Sequence, residues 1–282
     1  MSDDRPAVWT LSGFGDEIHP DPRIQVAVLQ ALGARHIEVR SAWGTNVVDL
    51  DDVQLERLRG LLREQGMGVS AVASPIGKVD AGLDPALEVD RLRRVIRVAH
   101  ALDAAFIRVF SFYPGAGRRA DDVRDGVLQR MRLLADEAER EGVVLLHENE
   151  KGIYGDIPRR VLDLVESVGS PALRLAWDNA NFVQVGVRPF TDGYAALRPF
   201  LDYLQVKDAV AATGTVVPVG EGDGELRETL AALRDDGYAG FASLEPHLDE
   251  AYELGGFSGP AAFGTAARAF AGLLAELGVV TR

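Results

Sequence analysis

Apolar residues along this chain follow two periods in turn. Stretches such as VAVLQALGARHIEVR, LERLRGLLREQGMGVSAVAS, LRRVIRVAHALDAAFIRVFS, MRLLADEAEREGVVLLHE and LAALRDDGYAGFASLE open with apolar positions three and four apart. Each then passes through a turn and ends in a short aliphatic or β-branched run. The first period marks a helix with one buried face, the second a buried strand. Repeated helix-to-strand units imply a parallel sheet, because parallel neighbours need a crossover. The pattern predicts strands near 9–14, 36–40, 69–73, 106–110, 143–148, 173–177, 202–206 and 240–245. It predicts helices near 21–32, 51–65, 86–101, 122–141, 157–167, 190–199, 225–235 and 260–277. Gly33, Gly66, Gly142 and Gly237 fall where left-handed helix caps belong. Eight units of this kind predict an α/β protein, a (β/α)8 TIM barrel, as one domain over residues 1–282. A doubly wound open sheet is the alternative, but no GxGxxG follows the first strand.

Within that frame, four polar side chains end four successive apolar runs. Glu148 follows VVLLH, Asp178 follows LRLAW, Gln205 follows LDYL and Glu245 follows GFASL. They are 30, 27 and 40 residues apart, each near the length of one strand-plus-helix unit. If those runs are adjacent parallel strands, their C-terminal ends meet at the face where barrel enzymes place their active sites. Taken singly, such a residue serves as readily to cap the next helix or join a surface ion pair. Four in succession point instead to one oxygen-rich cluster of three carboxylates and an amide. Clusters of that composition hold hard divalent ions, Mg²⁺ or Mn²⁺.

Composition narrows the partners. A net charge of −13 repels a phosphate backbone, so nucleic acid is not an expected ligand. No run approaches the roughly 20 apolar residues of a membrane span, and the opening MSDDRPAVWTLSGFG has no apolar signal core. The chain lacks cysteine, which excludes disulfides, thiolate metal sites and cysteine nucleophiles. A cytoplasmic location is therefore expected.

The stretches LLHENEKGIYGD, WDNANF, LQVKDA, GEGDGE and SLEPHL resemble the xylose-isomerase-like sugar isomerase/epimerase barrels. GFGDEI, IEVR and ASPIGK fit the same pattern, so the resemblance spans nearly the whole chain. It implies a divalent metal held by strand-5 Glu, strand-6 Asp, strand-7 His and strand-8 Glu, at Glu148, Asp178, Gln205 and Glu245. Two positions depart from the family pattern. Gln205 stands in Gln205-Val206-Lys207-Asp208 where the family usually has histidine, although hydroxypyruvate-isomerase-like members carry Gln there. An amide oxygen in place of imidazole favours Mn²⁺ or Mg²⁺ over Zn²⁺. Asn181 stands where the family often shows the histidine of D-x-x-H; it can orient a hydroxyl but cannot carry a proton.

Around this cluster, Lys207 should face inward two residues after Gln205. There it would steady an enolate or a ligand carboxylate, or form a buried ion pair with a carboxylate such as Glu150. His247, two residues past Glu245, is either a substrate contact or a loop residue. His147 should point away from the barrel axis by strand alternation, unless the strand end bends it inward. Glu38, ending strand 2, is expected on the sugar pocket with Asn181. The ends Ser74, Phe110 and Phe112, with Trp43 and Tyr113, complete that rim by resemblance, packing being the plainer role for the two phenylalanines. His19, His36 and His100 occupy loop or helix positions without expected chemistry.

A divalent ion between two glutamates suits proton transfer beside a carbonyl. Glu148 and Glu245 would form the acid/base pair of an isomerase or epimerase, as resemblance to the ketose 3-epimerases implies. If the intermediate expels a β-substituent, the same site is a lyase or dehydratase, resembling the inosose dehydratase and keto-glycoside-cleaving branches. A sugar-binding subunit without catalysis is a third reading, should Gln205 fail to hold metal. The apurinic endonuclease branch needs a histidine-rich zinc cluster, and this chain has 5 histidines, mostly away from strand ends. The loop TGTVVPVGEGDGEL has glycines but no Lys or Arg before Arg227, so a phosphate is not expected there. The expected substrate is a small neutral keto-sugar, cyclitol or hydroxy-carbonyl compound, and a homo-oligomer is possible by resemblance.

Overall fold

Each helix returns the chain to the same end of the growing sheet, so successive strands run parallel. The computed structural model describes residues 6–248 and 258–282. The barrel strands are β1 (Ala7–Gly13), β2 (His36–Val39), β3 (Gly68–Ala73), β4 (Phe106–Val109), β5 (Val144–Glu148), β6 (Leu173–Asp178), β7 (Leu201–Val206) and β8 (Phe241–Leu244). A ninth, β9 (Val279–Thr281), lies outside the predicted set. The spatial order is β9-β1-β8-β7-β6-β5-β4-β3-β2, and a parallel bridge between Phe14 and Glu38 joins β1 to β2 and closes the circle. This is a (β/α)8 TIM barrel. β9 pairs with Ala7–Trp9 at the start of β1, whose later residues pair with β8.

The helices begin and end where local chemistry dictates. Helix α1 (Pro22–Ala31) starts at Asp21, whose carboxylate accepts from the Arg23 amide. Helix α2 (Asp52–Glu64) opens with a reciprocal box between Asp51 and Gln54. Helix α3 (Pro85–Ala101) has proline at its first position. Helix α4 (Arg124–Glu141) ends on Gly142 and α5 (Pro158–Val168) on Gly169, both left-handed. The predicted helix at 190–199 is a run of short, irregular turns over Phe190–Phe200. A short helix, α6 (Asn179–Val183), follows β6 directly, capped by the Asp178 side chain on the Asn181 amide.

Strand alternation divides the core in two. Leu145 belongs to the large layer between strands and helices, and Leu146 to a small cluster inside the barrel with Ala71, Ala176 and Tyr203. The inner cluster is sealed by edge-to-face contacts of Phe106 on Tyr203 and on Phe241. Above this apolar plug, the inward positions turn polar, and those positions carry the site.

Candidate active site

Glu148 closes β5, Asp178 closes β6, Gln205 lies in β7 and Glu245 is one residue past β8. Strand register sets their convergence: Asp178 pairs with Gln205, and Gln205 with Ser243. The Glu245 amide donates to Val206 O at 3.2 Å, carrying the pattern one residue beyond β8. All four side chains are buried, at 2%, 0%, 0% and 2% exposure in sequence order. One carboxylate oxygen each from Glu148, Asp178 and Glu245 lies within 4.8 Å of the other two.

Three cationic side chains and one amide hold these carboxylates. Glu148 Oε2 accepts from Arg108 Nη1 at 2.7 Å, and Oε1 accepts from Asn181 Nδ2 at 2.9 Å. Lys207 Nζ lies 2.8 Å from Asp178 Oδ2 and 3.1 Å from Glu245 Oε2. Arg40 reaches Asp16 at 2.8 Å, Glu17 at 2.6 Å and Glu245 at 2.8 Å. The Phe14 ring lies under both guanidiniums, 4.9 Å from Arg40 and 5.5 Å from Arg108.

The balance is unequal. Asp16, Glu17, Glu38, Glu148, Asp178 and Glu245 are buried acids, against Arg40, Arg108 and Lys207. Burial pushes the carboxyls of Glu17, Glu38 and Asp178 up to about 7. Burial also raises Glu148, outweighing the Arg108 guanidinium. At Glu245 burial is outweighed by Lys207, His247, Arg40 and Arg108, which hold its carboxyl below the usual range. Lys207 stays charged, the surrounding carboxylates outweighing the cost of burying its ammonium.

This arrangement fits a divalent cation. The donors are oxygens, they are buried, and acidic groups outnumber basic ones. Gln205 joins the cluster through its amide. One end lies 3.1 and 3.3 Å from the Glu148 oxygens, and with the nitrogen at that end both ends of the amide find partners.

A cavity of about 220 Å³ opens over the cluster. Glu148 and Glu245 line it with Arg40, Lys78, Arg108, Glu150, Lys207 and His247. Of the five expected substrate contacts, Lys207 and His247 are therefore on the wall, and three are elsewhere. Glu38 is wholly buried beneath, accepting from the Tyr203 hydroxyl at 2.8 Å. Asn181 is turned to Glu148 and to Asn149 O, holding the carboxylate instead of facing the cavity. His147 keeps strand alternation: its Nε2 is 2.9 Å from Ser111 Oγ in the outer layer, and burial alone lowers its pKa to about 3. Lys207 pairs with Asp178 and Glu245, whereas Glu150 takes Lys78 at 3.0 Å. Phe110 is buried and carries Lys78 and Arg108 on its face, and Phe112 is buried as well.

Sequence reasoning missed Arg40, Arg108, Asp16 and Glu17. Arg108 had a legible signal, a charge inside the apolar run FIRVF at an inward position. Asp16 and Glu17 sit on a single turn after β1, whose reach toward Arg40 no spacing encodes. The glycine-rich loop also resolves. Amides of Gly220, Gly222 and Gly224 donate to the Asp208 carboxylate at 2.9, 3.1 and 3.0 Å, so the chain's own anion fills that nest. A Cβ on Gly224 would stand 2.5 Å from Asp208 Oδ1, which explains that glycine. A second cavity, about 170 Å³, lies at the opposite end of the barrel beside His36, Arg63 and Met67, away from the carboxylates.

The family model of xylose isomerase-like TIM barrels matches residues 26–271. The chain belongs to that family. Among relatives of this xylose isomerase-like barrel is 2-epi-5-epi-valiolone 7-phosphate 2-epimerase of Actinoplanes sp., 31% identical over 226 residues, covering 73% of this chain and 79% of the relative. A D-tagatose 3-epimerase-like protein of known structure superposes with a TM-score of 0.77 at 15% identity, covering 95% of this chain and 98% of its own. The probable 3-DHS dehydratase AsbF of Bacillus anthracis gives 0.72 at 18%, covering 93% and 98%. At those identities the two structures speak for the fold.

Proposed function

We propose that this chain is a divalent-metal-dependent epimerase or isomerase that moves a proton next to the carbonyl of a small keto-sugar or cyclitol. The observation that carries the reading is the convergence of Glu148, Asp178 and Glu245 oxygens within 4.8 Å beside the Gln205 amide. Glu148, Asp178, Gln205 and Glu245 would hold the ion, with Mn²⁺ or Mg²⁺ the best match for oxygen donors. Such an ion, when bound, polarises a carbonyl and its neighbouring hydroxyl and so acidifies the hydrogen on the carbon between them. The relative in Actinoplanes sp. is named as an epimerase, which supports the reaction class.

The chain's own groups supply the rest. Glu245, kept ionised by Lys207 and Arg40, lines the cavity opposite Glu148 and completes the pair between which the carbon-bound proton would move. Glu148, with its carboxyl raised by burial, is suited to return one from its own strand. Arg108 and Asn181 pin both Glu148 oxygens, so that this carboxyl cannot swing away during transfer. Lys207 places a positive charge on the cavity wall, where an enediolate would develop its negative charge.

An unphosphorylated substrate is favoured. Arg40, Lys78, Arg108 and Lys207 on the wall each already pair with a carboxylate, and Asp208 occupies the glycine nest. The relative's substrate does carry a phosphate, which makes matched free and phosphorylated ketoses the natural test pair. The assay is a keto-sugar and cyclitol panel in D₂O with Mn²⁺, followed by mass spectrometry. Deuterium in an isomer of unchanged formula supports the proposal. Loss of water or an aglycone would assign the lyase reading, and faster turnover of phosphorylated members would overturn the neutral substrate class.

A further inference from the structure

Glu148 and Glu245 are held by different means. Glu148 takes donors from the neighbouring strand β4 and from α6, whereas Glu245 is reached from across the barrel seam. That seam is the join of β1 to β2, which among the described residues rests on one bridge between Phe14 and Glu38. Arg40 stands one residue past β2 and spans it. Each of its three nitrogens meets a different carboxylate: Nε lies 2.8 Å from Asp16, Nη2 2.6 Å from Glu17 and Nη1 2.8 Å from Glu245 Oε1.

Resting on the metal reading above, we propose that Arg40 is a positioning residue that fixes Glu245 through Oε1 and leaves Oε2 as the oxygen offered to the cation. The guanidinium cannot follow Glu245, because it is anchored elsewhere. Asp16 and Glu17 take two of its nitrogens from the turn Gly15–Glu17, and the Phe14 ring lies 4.9 Å from it. The anchors are held in turn: Ser41 Oγ donates to Asp16 Oδ2 at 2.9 Å, and Ser258 Oγ donates to Glu17 Oε2 at 3.0 Å. Asp16, Glu17 and Glu245 are each at most 3% exposed, where charge-assisted hydrogen bonds restrain their partners most strongly. A planar fork sets direction as well as charge, which an ammonium on a flexible stem does not. Glu245 Oε2 meets such an ammonium, Lys207 at 3.1 Å, and is the end able to change partner.

The test is isothermal titration of the full chain with Mn²⁺ at pH 8, with circular dichroism and thermal unfolding in EDTA run beside it. Arg40→Lys keeps the charge and loses the fork, so a change in affinity reports position and not repulsion of the ion. It should weaken Mn²⁺ binding roughly 10- to 100-fold, the usual range for groups behind a metal ligand. Asp16→Asn removes one anchor of Arg40 without altering the cluster, and should show a smaller loss in the same direction. In the Arg40→Lys background that loss should fall below threefold, whereas a direct effect of the missing Asp16 charge would persist. Should Arg40→Lys fail to fold, Asp16→Asn alone carries the test. A mere staple of the seam would lower the melting temperature of both variants and leave Mn²⁺ binding by the folded chain within twofold of the parent. That result, tighter binding by Arg40→Lys, or an equal Asp16→Asn penalty in both backgrounds would overturn the inference alone. Absence of Mn²⁺ binding by the parent chain would overturn the metal reading, and the inference with it.

Discussion

Lys207 offers the sharpest energetic test, because it pairs with two buried carboxylates. Its ammonium is 2.8 Å from Asp178 and 3.1 Å from Glu245, with side-chain exposures of 6%, 0% and 3%. Lys207→Met keeps most of the volume and removes the charge. Arg40 still pairs with Glu245 at 2.8 Å, so the loss falls mainly on Asp178. Removing one partner of a buried ion pair costs about 3–5 kcal/mol, since the remaining charge is left uncompensated. For a chain of this size each kcal/mol moves Tm by roughly 2–4 °C. Thermal unfolding in EDTA at pH 8 should therefore show a drop on the order of 10 °C. Mn²⁺ should then stabilise the variant at least as much as the parent, because the ammonium no longer competes for Asp178 and Glu245. Ligand at 100 times its Kd adds about 2.7 kcal/mol. A variant melting within about 2 °C of the parent in EDTA would refute the claim that Lys207 balances this cluster.

Other consequences are independent of that one. Glu148→Gln should lower solvent-deuterium exchange into substrate by roughly 10²- to 10⁴-fold with the fold intact by circular dichroism, and exchange at the parental rate would remove Glu148 from the acid/base pair. His147, with a pKa lowered by burial to about 3, stays neutral in the folded chain while the unfolded chain protonates below about 6.5. Its contribution is thus present above pH 6.5 and lost as pH falls toward 3, so the stability advantage of the parent over His147→Gln should shrink by roughly 2 kcal/mol between pH 7 and pH 5. Denaturant titrations at the two pH values would measure it, and a constant gap would contradict it. Gly77 has φ +84° and lies against the Phe110 carbonyl, so Gly77→Ala should lower stability by about 1–3 kcal/mol in urea titrations.

Much of this was legible in the residues. The strand positions, the barrel and the meeting of Glu148, Asp178 and Glu245 follow from period and spacing alone, since side chains of one parity on adjacent parallel strands must share a face. His147 was readable by the same rule. What spacing could not give was depth. Glu38 and Asn181 sit at strand and helix ends like surface-lining residues, yet both are buried, Glu38 on the Tyr203 hydroxyl and Asn181 on Glu148. Nor could it give the partners of Arg40, whose three carboxylates come from two separate loops. β9 escaped because a three-residue strand after the last helix carries too little pattern to separate from a tail. The glycine loop was ambiguous for a different reason: which anion fills a nest depends on where Asp208 points, a matter of rotamer and not of sequence.

The central claim is that four side chains from successive barrel strands hold one divalent cation. Crystals grown with Mn²⁺ and measured at its absorption edge test it directly. The account predicts a single anomalous peak with oxygens of Glu148, Asp178, Gln205 and Glu245 on the order of 2.1 Å away. A map with no peak there, and with the Lys207 ammonium still between Asp178 and Glu245 at saturating Mn²⁺, would contradict it.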